Sequence, residues 1–449
     1  MRCNKVALFF ILFKLFLSPY YIFGETVTYE ELIEYAIKNS PRLKIKSYEI
    51  NIAHANYKKS LSNFYPRFFI GIRVEKFDNL ARDNRFTTAG GQVIGGQTDE
   101  WRSSVFFTGE YYISNWYKRI YETSYLRLIK ESSFYDCLVE TKKLIKEITD
   151  LYAQVIETKT KLDYSNVILD KLKRIYELKK LLYQKGEISL EELLKTEAEI
   201  ESILREQANL RRELNIYISS LSQKTGKKLS DGDNIMNIPL KGNIPQFFIN
   251  VEDLPEYKFQ VKQIEAYKER LKATRVFSLP DIAFYMRYDL YGSDFSDLKR
   301  SFDNIRQTAF TFGFFLTMPI FDGGGIYWER IKATYELKRE KEKLELVKEE
   351  KRKEIENLYI NYKELNNILN HYKNLLKYYE RMYRIGERAY ELGEKSIIEL
   401  LDMEIEMLKI ERDIKVTENT LAAIERKIET EVGKEKENGE EGYYWACMY

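Results

Sequence analysis

A chain of 449 residues has room for several ordinary domains, yet 21 Gly and 8 Pro are too few punctuators for that many compact units. Lys and Arg number 72 against 70 Asp and Glu, a formal charge of +2, which excludes the basic excess that a nucleic-acid binder needs. Charged residues make up 32% and aromatics 14%, with 35 Tyr, so the chain is at once strongly polar and strongly aromatic.

Met1 to Gly24 reads as a secretory signal, with Arg2 and Lys5 as its basic start and Val6 to Leu17 apolar apart from Lys14. The alternative, a membrane anchor, falls short of the ~20 apolar residues a span requires. Cys3 precedes the apolar run, so it is not a lipoprotein cysteine. Cys137 and Cys447 remain, and the expectation is neither a disulfide framework nor a metal site. No later apolar run is long enough to span. An exported chain of this kind is periplasmic, secreted or an outer-membrane barrel.

Val27 to Ser40 spells a short amphipathic opening helix, and a second short helix covers Pro41 to Phe64. A strand follows over about 67–76, with Phe68, Ile70, Ile72 and Val74 opposing Phe69, Gly71, Arg73 and Glu75. The Gly-rich loop from Ala89 to Gly96 is expected to be exposed and mobile. Its partner strand, about 103–113, sets Val105, Phe107, Tyr111 and Ile113 against Ser104, Phe106, Thr108 and Glu110. A very long helix then runs from Asn115 to Gln184, on the order of 100 Å at 1.5 Å per residue. A turn at Gly186 and a medium helix complete the unit.

This unit occurs twice. Tyr183 to Glu197 and Tyr390 to Glu404 are near copies, 207 positions apart, and Leu151-Tyr152 repeats as Leu358-Tyr359 at the same offset. Pro41 and Pro66 pair with Pro255 and Pro280 at an offset of 214, so the first copy carries seven extra residues in its Gly-rich loop. The copies are 25–226 and 251–433, joined by a linker over 227–250 and followed by a tail, 434–449, expected to be disordered. The strands of the second copy fall at about 281–290 and 308–318. There Phe284, Met286 and Tyr288 oppose Tyr285, Arg287 and Asp289, and Phe310, Phe312, Phe314 and Leu316 oppose Thr311, Gly313, Phe315 and Thr317. Ile355, Tyr362, Leu369, Leu376 and Tyr383 form a heptad that Ile148, Val155, Leu162, Leu169 and Tyr176 repeat in phase, a coiled-coil seam.

Charges on one face of each strand and apolar groups on the other suit a membrane barrel with a polar lumen; a soluble hairpin with one buried face is the alternative. Four strands cannot close, and an open edge in lipid leaves unpaired backbone groups costing several kcal/mol each. Eight strands from a dimer would fill their own interior, whereas twelve from a symmetric trimer leave a pore. The expected fold is therefore an α+β membrane protein: a homotrimeric β-barrel of four strands per chain, continued by a long α-helical coiled-coil barrel.

The stretch Gln307 to Arg330, QTAFTFGFFLTMPIFDGGGIYWER, passes from strand to long helix through Pro319, Asp322, Gly323 and Gly324. Its Pro-Ile-Phe-Asp-Gly-Gly turn resembles that of the TolC-like outer-membrane efflux proteins. The first copy departs from the pattern, with YYISNW over Tyr111 to Trp116, so no turn role is carried to it. The resemblance covers Val27 to Gly433. It implies an exit duct in the outer membrane that reaches into the periplasm, serving a tripartite efflux pump or type I secretion system. Its partners would be outer-membrane lipid, a periplasmic adaptor (membrane fusion protein) and an inner-membrane pump or secretion ATPase.

Two groups of site residues follow. Tyr-x-x-Gly-x-x-Ser recurs at both helical turns, with Gly186 and Gly393 suited to a left-handed helix stop and Ser189 and Ser396 to N-caps. The resemblance adds that these tips meet the adaptor. It also implies an acidic periplasmic mouth, for which Glu399 and Asp402 are the candidates on one helical face, with Glu192 the equivalent of Glu399 in the first copy. Catalysis finds no support: His54 and His371 lie on separate helices, no metal-ligand cluster or cofactor motif is present, and the Gly run at Gly323 lacks the Lys-Ser/Thr of a phosphate loop. A coiled-coil envelope spacer or adhesin is the reading from another class.

Overall fold

The computed structural model describes residues 26–78, 86–87, 93–94, 99–230, 234–242, 250–432 and 447. The signal segment, most of the Gly-rich loop and all of the tail but Cys447 lie outside the described residues. In chain order the main elements are α1 (Tyr29–Asn39), α2 (Pro41–Leu61), β1 (Arg67–Asp78), β2 (Asp99–Tyr112), α3 (Ile120–Gln184) and α4 (Leu190–Thr225). Then follow α5 (Pro255–Val276), β3 (Asp281–Asp294), β4 (Gln307–Thr317), α6 (Gly325–Glu391) and α7 (Ile397–Val432). The chain splits into two compact units, and they are not the two repeats. One unit holds Lys46–Asp136 and Pro255–Glu349; the other holds the segments before Ile45, between Cys137 and Leu254, and from Glu350 on.

The first of these carries the sheet, an antiparallel meander in the order β1-β2-β3-β4. Both outer strands have one unpaired edge among the described residues. The strands extend a few residues past the alternating pattern at the loop end, β2 starting at Asp99 and β3 running to Asp294, because backbone pairing continues where the side chains have become polar. The short helix Leu298–Asp303, capped by the Asp297 carboxylate, covers this end of β3.

The other unit is helical. α1 opens on a capping box, Thr28 accepting from the Glu31 N–H while the Glu31 carboxylate accepts from Thr28 N–H. Its apolar face, Leu32, Ile33, Ala36 and Ile37, joins Ile145, Ile148, Val155, Leu214 and Leu221 in one core, so part of the predicted seam is this core. Leu369, Ile410, Ile414 and Leu421 make a second cluster, flanked by Tyr362, Leu365, Tyr372 and Leu376. Thr26–Val27 pairs in parallel with Asn234–Ile235 of the linker, and Tyr152 Oη donates to Met236 O at 2.6 Å beneath the pair. Glu425, almost fully buried, fixes the linker further on: it accepts from Lys241 N–H at 2.8 Å, Gly242 N–H at 3.0 Å and Tyr362 Oη at 3.0 Å. Burial first, and this carboxylate second, push the Tyr362 phenol up to about 12.

A charge cluster ties α3, α6 and α7. Glu431, 1% exposed, faces Lys142 at 2.8 Å, Lys351 at 3.5 Å and Lys146. Lys146 and Lys351 also hold Glu354, at 2.6 and 2.8 Å. Burial works to raise the Glu354 carboxyl, but the two ammonium groups outweigh it and hold it at about 2. Lys146 moves the other way, its ammonium disfavoured chiefly by burial and then by two neighbouring cations.

One expectation is corrected outright. Cys137 in α3 and Cys447 near the end of the chain form a disulfide across a sequence separation of 310, with Cα atoms 6.0 Å apart. Both are buried, and the Thr141 hydroxyl lies 3.9 Å from the Cys447 sulfur. The tail cannot fray freely at Cys447.

Candidate functional site

The register fixes the faces of the sheet. Phe68, Gly109, Met286 and Phe312 share one rung, Ile70, Phe107, Tyr288 and Phe310 the next, and Ile72, Val105 and Leu290 a third. Over these rungs the face is apolar except for Thr308 beside Leu290, and away from the short helix it is uncovered, Ile70 being 79% exposed and Phe314 70%. A water-soluble protein does not leave so large an apolar surface bare.

The opposite face carries Arg73, Glu75, Glu110, Arg287 and Asp289. Arg287 forms a forked pair with Asp289, at 2.7 to 2.9 Å, and its guanidinium carbon lies 4.2 Å from the centre of the Phe106 ring. Arg73 approaches the same ring at 5.7 Å and Glu75 at 3.4 Å. Gly71 stands opposite Phe106, where any Cβ would collide with the ring. One aromatic thus backs two arginines, each paired with a carboxylate. Sequence reading placed the charges on this side but had no signal for the ring that organises them. Cysteine at Phe284 or Phe314 is expected to react only with lipid-soluble thiol reagents, and cysteine at Arg287 with water-soluble ones. The reverse labelling pattern would mean that the faces are inverted.

The two strand-to-helix passages differ. After β4, Asp322 caps α6, accepting from Gly324 N–H at 3.0 Å and Ile326 N–H at 2.7 Å. Gly323 and Gly324 adopt φ of 68° and 86°, which only glycine takes without strain, and Pro319 lies beyond the last paired residue. After β2 a turn at Ile113-Ser114 leads into a four-residue helix, Asn115–Lys118, interrupted at Arg119 before α3. Lys118 and the Ser114 hydroxyl both reach the Asp281 carboxylate at the start of β3, so side chains replace the missing glycines.

The helical turns are built alike. Gly186 and Gly393 take φ of 75° and 77°, and a Cβ at either would meet nothing within 4 Å. Ser189 accepts from Glu192 N–H and Ser396 from Glu399 N–H, each at 3.3 Å. Glu192 and Glu399 are therefore the third residues of their helices, and the Glu399 carboxylate also contacts the Ser396 hydroxyl. Ser-x-x-Glu is a helix-start signature in the sequence, and it accounts structurally for the acid that the copies share. Asp402 is one turn on and exposed; its carboxyl is raised, by partial burial first and against the pull of Lys179.

Among the described residues no helix is long and apolar enough to cross a membrane, and no group of His, Cys, Asp or Glu is arranged to hold a metal ion.

Residues 256–430 match the family model described as outer membrane efflux protein. No curated protein matches the chain in sequence. Solved structures do match in fold. CusC, described in connection with transmembrane channel formation, superposes with a TM-score of 0.75 at 16% identity, covering 91% of this chain and 93% of that one. The CmeC outer membrane channel of Campylobacter jejuni gives 0.75 at 17% identity, covering 90% and 85%. VceC, an outer membrane protein of Vibrio cholerae, gives 0.74 at 14% identity, covering 90% and 96%. At these identities the likeness is one of fold.

Proposed function

We propose that this chain, a member of the outer membrane efflux protein family through residues 256–430, is a passive exit duct of the cell envelope. Three copies complete one twelve-stranded barrel in the outer membrane, and their helices continue it into the periplasm. The observation that carries this reading is the sheet: one bare apolar face, one charged face, and two open edges. Lipid accepts the first, an aqueous lumen the second, and neighbouring copies the third. A spacer or adhesin has use for none of them.

A passive duct needs an energised partner. The reading therefore includes a periplasmic adaptor meeting the tips at Gly186, Ser189, Gly393 and Ser396. An inner-membrane pump or secretion ATPase, in an efflux or type I secretion system, would lie behind it. Purified trimer in planar bilayers is expected to give discrete conductance steps. Trimer that never conducts would favour the spacer.

The mouth of the duct is assigned to Glu399 and Asp402, with Glu192 as the next candidate. Carboxylates gathered around one axis repel, and a divalent cation relieves that repulsion. Divalent block of monovalent current should weaken as pH falls, beginning above the ordinary aspartate range because the Asp402 carboxyl is raised. Replacing Glu399 and Asp402 by Ala should weaken divalent block about tenfold and reduce cation selectivity, a loss on the scale of one or two charge contacts. Unchanged block in the double variant would reassign the gate.

A further inference from the structure

At the foot of β1 the chain forms an apolar cavity of about 490 Å³, lined chiefly by Tyr57, Leu61, Phe64, Tyr65, Trp116 and Ile120. Phe64 and Trp116 pack ring on ring at 5.3 Å, so its wall is already built. Thr123, 8% exposed, also lines it, and its hydroxyl has no hydrogen-bond partner among the described residues.

An apolar segment equally without cover lies at the other edge of the sheet. In the turn after β4, Ile320 is 99% exposed and Phe321 88%. The register carries Arg67 across to Glu110, Tyr285 and Gly313. Phe314 to Thr317 therefore run past the level at which β1 begins, and the Pro319–Phe321 turn comes level with the residues before β1. Because the sheet is an antiparallel meander, β4 of one copy would lie antiparallel to β1 of the next. Closing the edges in that sense sets the turn of one copy level with the cavity of its neighbour.

We propose that this cavity is a socket for the Ile320–Phe321 turn of a second copy of the chain. The proposal rests on the reading of the sheet as part of a barrel closed by several copies. The turn supplies two apolar side chains to the aromatic wall. The passage Tyr111–Trp116, without proline or glycine, acquires a purpose here: Trp116, its last residue, and Ile120 just beyond it are socket residues.

Leu61→Cys combined with Ile320→Cys, oxidised in the membrane, should yield covalent dimers and trimers on denaturing gels, with no ladder from either single variant. Ile320→Cys alone should lose its reactivity toward a lipid-soluble maleimide in the assembled protein and regain it on unfolding. Native mass spectrometry of the same samples keeps the two readings apart. A trimer that gives no ladder and leaves Ile320→Cys reactive overturns the socket and means that lipid bathes the turn. A particle of one chain overturns the barrel reading itself.

Discussion

Oxidised protein carrying the Cys137–Cys447 disulfide is expected to resist denaturant well beyond the Cys447→Ser variant. The bond closes a loop across a separation of 310 residues. In the chain-entropy description such a loop removes about 5–6 kcal/mol of freedom from the unfolded chain, and structure retained there reduces the gain. The difference should appear as a lower urea midpoint for the variant, and for the native chain in reductant, with little change in slope. Alkylation after denaturation without reductant should find neither cysteine free. Two free thiols in that experiment, or equal midpoints, would remove the bond from the account. Both sulfurs are buried, so an exported chain should hold the bond against small-molecule thiols until the tail itself detaches.

Bulky residues at both helical turns are expected to abolish transport while leaving assembly intact. Gly186 and Gly393 sit in left-handed backbone, where a side chain costs about 1–2 kcal/mol. A Cβ at either position meets nothing. Any large loss therefore comes from the outer surface of the tip and not from broken packing. The Gly186→Tyr, Gly393→Tyr double variant should lower export at least about tenfold at normal membrane levels, the scale of losing one anchoring contact. The matching Asn pair, which tolerates this backbone, should retain most of it. If the Tyr pair exports normally, the tips are turns and nothing more.

What was legible in the sequence was whatever periodicity encodes. Alternation from Phe68 to Glu75 and from Phe310 to Thr317 gave the strands and their faces, because side chains on a strand must point to opposite sides. The Gly-x-x-Ser turns were legible from backbone chemistry alone. Contacts with no local pattern were not. The Cys137 partner lies in a segment without periodicity, and the buried Glu425 and Glu431 look in sequence like any other acids of a Lys/Glu-rich helix. The compact units escaped for a related reason. Sequence likeness runs along the chain, whereas each unit combines segments that lie far apart in it. At the candidate mouth the acids and the Ser189 and Ser396 N-caps were visible, but not that the caps make Glu192 and Glu399 the third residues of their helices, although Ser-x-x-Glu announces it.

The parallel pairing of Thr26–Val27 with Asn234–Ile235 has a bearing on biogenesis. Synthesis delivers Thr26–Val27 first and Asn234–Ile235 only much later. Until then Thr26–Val27 lacks its strand partner, although Leu32, Ile33 and Ala36 of α1 can already meet Ile145, Ile148 and Leu214, and β1 and β2 have no third strand to pair with. Non-local closure of this kind is slow and leaves sticky intermediates. A fragment ending before Asn234 should keep the contacts of α1 with Ile145, Ile148 and Leu214 but lose the strand partner of Thr26–Val27.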